Sequence, residues 1–260
     1  MKNINWLIIS ALLLTACDKK IPLPGKREAI SGITSANNIS VNTATSKLKV
    51  DISPPQSLDS FVDVQGNKQH VAFNHKMSSN PKLIWETSIR GNYINSNVIA
   101  FDGNVYAIDV SGTLHCIKQN TGQIVWKKKL TIQPQDSVFA GGITAGNGIL
   151  YIGTNLGSVI AINSNTQKEL WKSNLKYPIK SMPLYIAGKV IVTSVDNQTF
   201  AIDVRDGKTV WTKTMTSEQA RINETSVPAA FQDNVICAYS SGDIVKLNHN
   251  NGGDSWSGTL

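Results

Sequence analysis

A chain of 260 residues with 41% apolar side chains is long enough to bury a sizeable core as one large β domain, and its three cysteines are too few for a disulfide framework. The formal charge of +7 raises nucleic acid or an anionic membrane as partners, yet Lys2, Lys19, Lys20, Lys26 and Arg27 sit near the start and no basic run interleaved with aromatics follows. The remaining lysines read as a scattered solvated surface, and no nucleic acid is expected as a partner.

The first element is a targeting segment. MKNINWLIISALLLTAC has a positive start at Lys2, an apolar run from Trp6 to Leu14, and small residues before Cys17. Residues 1–17 therefore read as a lipoprotein signal peptide ending in a lipobox, with Cys17 lipidated and holding the chain to a lipid bilayer. Several acyl chains anchor stably because each buried methylene contributes roughly 0.8 kcal/mol, whereas the apolar run is too short to span a bilayer comfortably. Asp18 resembles the inner-membrane retention signal of enteric bacteria, so inner-membrane retention is the alternative to the outer-membrane anchoring that the family resemblance given below implies. Residues 18–80 are rich in Ser, Asn, Thr and Lys, carry Pro54 and Pro55, and have thin apolar clusters only at Leu48–Ile52 and Phe61–Val64. Such a composition buries too little surface to offset its ordering entropy and reads as a polar flexible tether.

From residue 81 to 260 the chain repeats. A turn residue is followed 9 positions later by a second and 14 after that by a tryptophan: Gly103, Gly112, Trp126; Gly148, Gly157, Trp171; Gly188, Asn197, Trp211; Asp233, Gly242, Trp256. Each unit holds three strand-like runs, such as ILYIGT, VIAINS and KELWKS in the second, with a fourth run ahead of it. Four antiparallel strands every 40 to 45 residues predict an all-β fold, a β-propeller of four-stranded blades with about four blades present. The middle strands are apolar on both faces, as a sheet covered on both sides requires. Thr121-Gly122, Asp206-Gly207 and Asn251-Gly252 supply tight hairpins before the tryptophans, while Thr166-Gln167 in the second copy predicts a looser turn. Trp85, Trp126, Trp171, Trp211 and Trp256 are expected to staple neighbouring blades, since an indole buries roughly 150–250 Å².

The runs GNVYAID, GSVIAIN and TFAIDVRDGKTVW resemble the quinoprotein (PQQ-type) propeller repeat, and with the lipobox the chain is similar to the BamB family of outer-membrane assembly lipoproteins. That resemblance implies an eight-bladed ring closed by an N-terminal strand. Here KLIWETSI around Trp85 looks like such an outermost strand, giving five tryptophan strands against four sets of inner strands. The expectation is an open arc of an eight-bladed ring, whose apolar end faces favour self-association; a closed four-bladed ring is the alternative.

A quinone-dependent dehydrogenase is the enzyme that the repeat would imply, but carboxylates for calcium, an aromatic floor and neighbouring cysteines are not in evidence. Cys116 and Cys237 read as small core residues, Asp203 as a turn position that other copies fill with Lys118, Asn163 and Asn248, and the four histidines lack metal-ligand spacing. No metal, cofactor or catalysis is expected. The resemblance implies a periplasmic scaffold for inserting β-barrel proteins, with the barrel-forming subunit as partner. The loops Thr131 to Gly142 and Thr212 to Pro228 would carry the contact, with Arg221, Ile222, Asn223, Glu224 and Thr225 as candidates.

Overall fold

The structure, a computed structural model, describes residues 49, 52–58, 60–71, 73–89, 97–130, 140–179, 181–218 and 226–259. The chain divides into Met1–Asp51, of which Lys49 alone is described, and a compact unit Ile52–Leu260. That unit is all-β: four antiparallel four-stranded sheets in simple meander order, a partial β-propeller. The first blade is β1 (Ile99–Phe101), β2 (Asn104–Ile108), β3 (Thr113–Lys118) and β4 (Ile124–Lys129). The second is β5 (Ala140–Gly146), β6 (Ile149–Thr154), β7 (Ser158–Asn163) and β8 (Glu169–Asn174). The third is β9 (Leu184–Ile186), β10 (Lys189–Thr193), β11 (Gln198–Asp203) and β12 (Thr209–Thr214), and the fourth β13 (Ala229–Phe231), β14 (Asn234–Ala238), β15 (Asp243–Asn248) and β16 (Asp254–Thr259).

The innermost strands β1, β5, β9 and β13 neighbour one another in that order, so the blades are arranged about a common inner side. Core volume lies between blades rather than within them. Tyr106, Ile108 and Leu114 of the first blade meet Leu150, Ile152 and Ile162 of the second. Val159, Ala161 and Trp171 meet Val190, Val192 and Ile202, and Ile191, Ala201 and Trp211 meet Val235, Val245 and Leu247. Strands β6 and β7 are buried on both faces, which is why they lack polar alternation.

All four blades repeat one irregularity. A bulge falls in the fourth strand just before the tryptophan, where Val125, Leu170, Val210 and Ser255 have no cross-strand partner of their own and the register shifts between Cys116/Ile117, Ala161/Ile162, Ala201/Ile202 and Lys246/Leu247 of the third strand. The small residues Cys116, Ala161 and Ala201 face Trp126, Trp171 and Trp211, whereas Lys246 faces Trp256.

The second-blade turn differs from expectation. It is as tight as the others: Gln167 N donates to Asn163 O at 2.9 Å, matching Gly122 to Lys118 at 2.9 Å and Gly252 to Asn248 at 2.8 Å. Gln167 adopts the left-handed conformation (φ 61) that glycine holds elsewhere, and Asn163 Oδ1 secures the turn by accepting from Asn165 N and Thr166 N. A side chain in that conformation costs roughly 1–2 kcal/mol, part of which glycine returns as unfolded-state entropy. Gln167→Gly is therefore expected to raise stability by about 0.5–1 kcal/mol in urea denaturation.

Residues 52–80 depart from the expected tether. They group with the sheets because Val62 and Val64 pack against the core between the first two blades. Around Trp85, residues 81–89 take no strand pairing in place of the expected outermost strand. They nevertheless dock on the first blade, as described below.

Candidate functional site

Three of the five tryptophans share one geometry, which links residues 81–89 to the first blade, the second blade to the third and the third to the fourth. Trp171 Nε1 donates to Val204 O at 2.7 Å and Trp211 Nε1 to His249 O at 3.0 Å, each at the hairpin between the last two strands of the following blade. Trp85 Nε1 donates to Gln119 O at 2.8 Å, the corresponding carbonyl of the first blade, and Thr87 Oγ1 bonds Gly122 O. The indoles lie flat on the turn glycines: a Cβ on Gly122, Gly207 or Gly252 would stand 2.6–2.8 Å from the nearest ring atom of Trp85, Trp171 or Trp211. Trp126 is only half-buried and rests against Tyr106 at 6.0 Å between ring centroids. Trp256 is 56% exposed.

The β2–β3 turn of the first blade gathers a polar cluster that sequence reasoning passed over. Asp109 is 2% exposed; its Oδ1 accepts from Ser111 N (2.8 Å), Ser111 Oγ (2.6 Å) and Thr113 N (3.0 Å). Its Oδ2 accepts from His115 Nε2 at 2.8 Å, while the buried Nδ1 of His115 has no hydrogen-bond partner. Burial alone would raise the Asp109 carboxyl, but the Ser111 hydroxyl, the His115 ring and two backbone N–H groups outweigh it and hold the group at about 2. Aspartate, serine and histidine are thus adjacent but wired to close the turn: Ser111 and His115 both bond the Asp109 carboxylate, a weak base at about 2, and the imidazole is not placed on the serine hydroxyl. The signal in the sequence was the spacing Asp109, Ser111, Thr113, His115, every second residue through a turn. Other blades fill the Asp109 position with Thr154, Ser194 and Tyr239, and Thr154 Oγ1 likewise closes its turn on Ser158.

The depressed carboxyl makes this turn acid-labile. Because the folded value lies below the ordinary 3.8, the contribution, about 2 kcal/mol, is present above about pH 4 and fades as pH falls toward about 2. Asp109→Asn is expected to cost about 2 kcal/mol at neutral pH and to flatten that acid limb, as measured by denaturation at a series of pH values.

The remaining sequence-stated positions separate into two groups. Cys17, Arg221, Ile222, Asn223, Glu224 and Thr225 lie outside the described residues, as do residues 131–139 of the first long loop. Cys116 and Cys237 are free and buried; burial pushes both thiols up, Cys237 to about 11, which leaves neither as a thiolate nucleophile. Asp203, expected in a turn, is the last residue of β11 and is clamped by Arg205 (2.6 Å), whose hydrogen bonds hold its carboxyl at about 2. Among the described residues no three His, Cys, Asp or Glu side chains gather as a metal ion would need, and no helix is long and apolar enough to cross a membrane.

A third constellation lies on the inner side of the blades, where residues 61–70 run past all four innermost strands. Phe61 pairs with Ala100 of β1 (Phe61 N to Ala100 O 2.7 Å, Ala100 N to Phe61 O 2.9 Å), and Thr144 Oγ1 of β5 donates to Val62 O at 2.8 Å. Lys68 Nζ stands 4.8 Å from the ring centroid of Tyr185 in β9, and Ala230 N of β13 donates to Lys68 O at 2.6 Å.

Comparison with known proteins agrees with this architecture. Residues 25–128 and 110–260 match the family described as outer membrane protein assembly factor BamB. An uncharacterized protein of Rickettsia conorii is 28% identical over 213 residues, 82% of this chain and 49% of the relative. The outer membrane protein assembly factor BamB of Burkholderia pseudomallei is 26% identical over 175 residues, 66% of this chain and 44% of that protein. The chain thus spans about half the length of these curated relatives. The crystal structure of BamB from Moraxella catarrhalis superposes with a TM-score of 0.59 at 21% identity, covering 68% of this chain and 53% of that one. A quinohemoprotein alcohol dehydrogenase from Comamonas testosteroni reaches 0.53 at 18% identity, covering 64% and 35%. At those identities the structural likeness is one of fold alone. With the family match running from the N-terminal segment through the fourth blade, this chain belongs to the BamB family of outer membrane protein assembly factors.

Proposed function

We propose that this chain is a non-catalytic scaffold in outer-membrane protein assembly, held at the periplasmic face of the outer membrane by lipid on Cys17. Its partner is the barrel-forming subunit of the assembly machine, met through inter-blade loops that include Arg221, Ile222, Asn223, Glu224 and Thr225. The observation that carries this reading is the family match over both halves of the chain. The chemistry of the blades supports it: cysteines with raised thiols, and an aspartate, serine and histidine bonded to close a turn.

The test is mild extraction of tagged protein from membranes. Co-purification of the barrel-forming subunit is expected, with at least an order-of-magnitude loss in an Arg221→Ala/Glu224→Ala variant and release from the membrane fraction in Cys17→Ser. Absence of any barrel component in the extract removes the support for the proposal. Recovery of the wild-type chain in the inner-membrane fraction moves the anchor there and points to Asp18. The fold likeness to a quinohemoprotein dehydrogenase favours one rival, a quinone-dependent oxidoreductase or a degenerate relative. Pyrroloquinoline quinone with calcium is expected to leave the melting temperature unchanged, and a rise of several degrees would favour that rival.

A further inference from the structure

The strap of residues 61–70 is held in an unusual way for a segment packed against four sheets. Its backbone pairs with the blades at two places, Phe61 with Ala100 and Lys68 with Ala230. Between them the chain folds on itself: Asp63, 1% exposed, accepts from Val64 N at 2.9 Å and lies 3.4 Å from His70 Nε2, and Asn67 Oδ1 accepts from Gln69 N and Val71 N. His70 is left-handed at φ 54, a conformation that a non-glycine residue adopts at a cost. Apolar surface stays open along and beside it, with Phe61 39%, Val71 54% and Phe73 43% exposed.

The strands beneath offer an edge that extended chain satisfies. Strands β1 and β13 are the ends of their sheets, paired on one side only by β2 and β14, so their other sides present unpaired N–H and C=O groups. The strap meets that need at Ala100 and Ala230. The side chains flanking those positions are apolar, Ile99 and Phe101 on β1 and Phe231 on β13, with Phe231 49% exposed. An edge of this kind selects extended backbone, and apolar neighbours select alternate apolar side chains.

We propose that the inner edges of β1 and β13 form a strand-addition site, that residues 61–70 fill it as an internal stand-in, and that an extended segment with alternating apolar residues, the pattern of an unfolded transmembrane β-strand, takes its place. The existence of the site rests on the geometry of the strap, and the identity of the incoming strand rests on the proposed function. The strap then sets the apparent affinity, because the incoming segment binds only the fraction of molecules whose strap has lifted.

The test uses the full chain carrying Phe61→Cys and Ala100→Cys, so that one protein is compared with its strap locked by a disulfide and released by reduction. The probe is a fluorescein-labelled synthetic peptide of residues 58–72. Binding is expected to be at least about tenfold tighter in the reduced form than in the oxidised form, and at least about tenfold tighter in Asp63→Ala than in the unaltered chain. A β-barrel outer-membrane protein diluted from urea is expected to displace the peptide. Equal binding by the locked and released forms overturns the strap as a stand-in, whatever Asp63→Ala does. If the peptide exchanges as expected but the unfolded barrel fails to displace it, the site stands, and the assignment of its client falls together with the function on which it rests.

Discussion

Trp211→Ala is expected to destabilise the chain by about 3–5 kcal/mol in urea denaturation, among the largest effects that one substitution can have here. The indole is 9% exposed, fills the core between the third and fourth blades, and donates Nε1–H to His249 O at 3.0 Å. Its removal leaves a cavity that two sheets must share, because Ala201 opposite it and Gly252 beneath it have no bulk to move into the space. The same change at the same repeat position in the fourth blade, Trp256→Ala, is expected to cost no more than about 0.5 kcal/mol, since that ring is 56% exposed and faces Lys246. A large effect at Trp256, or a small one at Trp211, would contradict the stapling geometry.

Gly252→Ala is expected to cost about 2–4 kcal/mol, from two sources that add. The residue sits at φ +71, where a side chain costs roughly 1–2 kcal/mol, and the new Cβ would stand 2.8 Å from the Trp211 ring, an overpacking of roughly 1–3 kcal/mol. Gly103→Ala separates the two, since Gly103 has φ +68 and nothing within 4 Å of a Cβ, so only the conformational part, about 1 kcal/mol, is expected. Double substitution with Trp211→Ala should make Gly252→Ala cheaper, because the ring it strikes is gone.

Those contrasts also mark how much was legible beforehand. The 9 and 14 spacing located four sheets because turn glycines and stapling indoles are demanded by backbone conformation and ring contact, and both are written as residue types. The Thr166-Gln167 turn was misread because the demand there falls on φ alone, and Gln167 adopts the left-handed conformation despite its side chain. The Asp109 cluster was invisible as a cluster because its partners are ordinary turn residues whose meaning depends on burial. The strap escaped for a different reason. It has no period, its apolar residues are few, and its partner Ala230 lies 162 positions along the chain from Lys68 (230 minus 68). The loop candidates Arg221, Ile222, Asn223, Glu224 and Thr225 were named from loop length and the family resemblance, and they lie outside the described residues.

The shared core couples the first blade to the second, and Trp171 and Trp211 couple the second to the third and the third to the fourth, which is the connectivity of a solenoid. An array wired that way frays from its ends, one unit at a time, with the terminal unit exchanging its amide protons first. The bond from Ala230 to Lys68, with the pair at Phe61 and Ala100, ties the fourth blade back to the first. With that tie in place the array becomes a loop of couplings, and hydrogen exchange should report one cooperative opening instead of a gradient. Lifting the strap would therefore do more than uncover an edge: it would turn a two-state protein into one that unzips from the fourth blade.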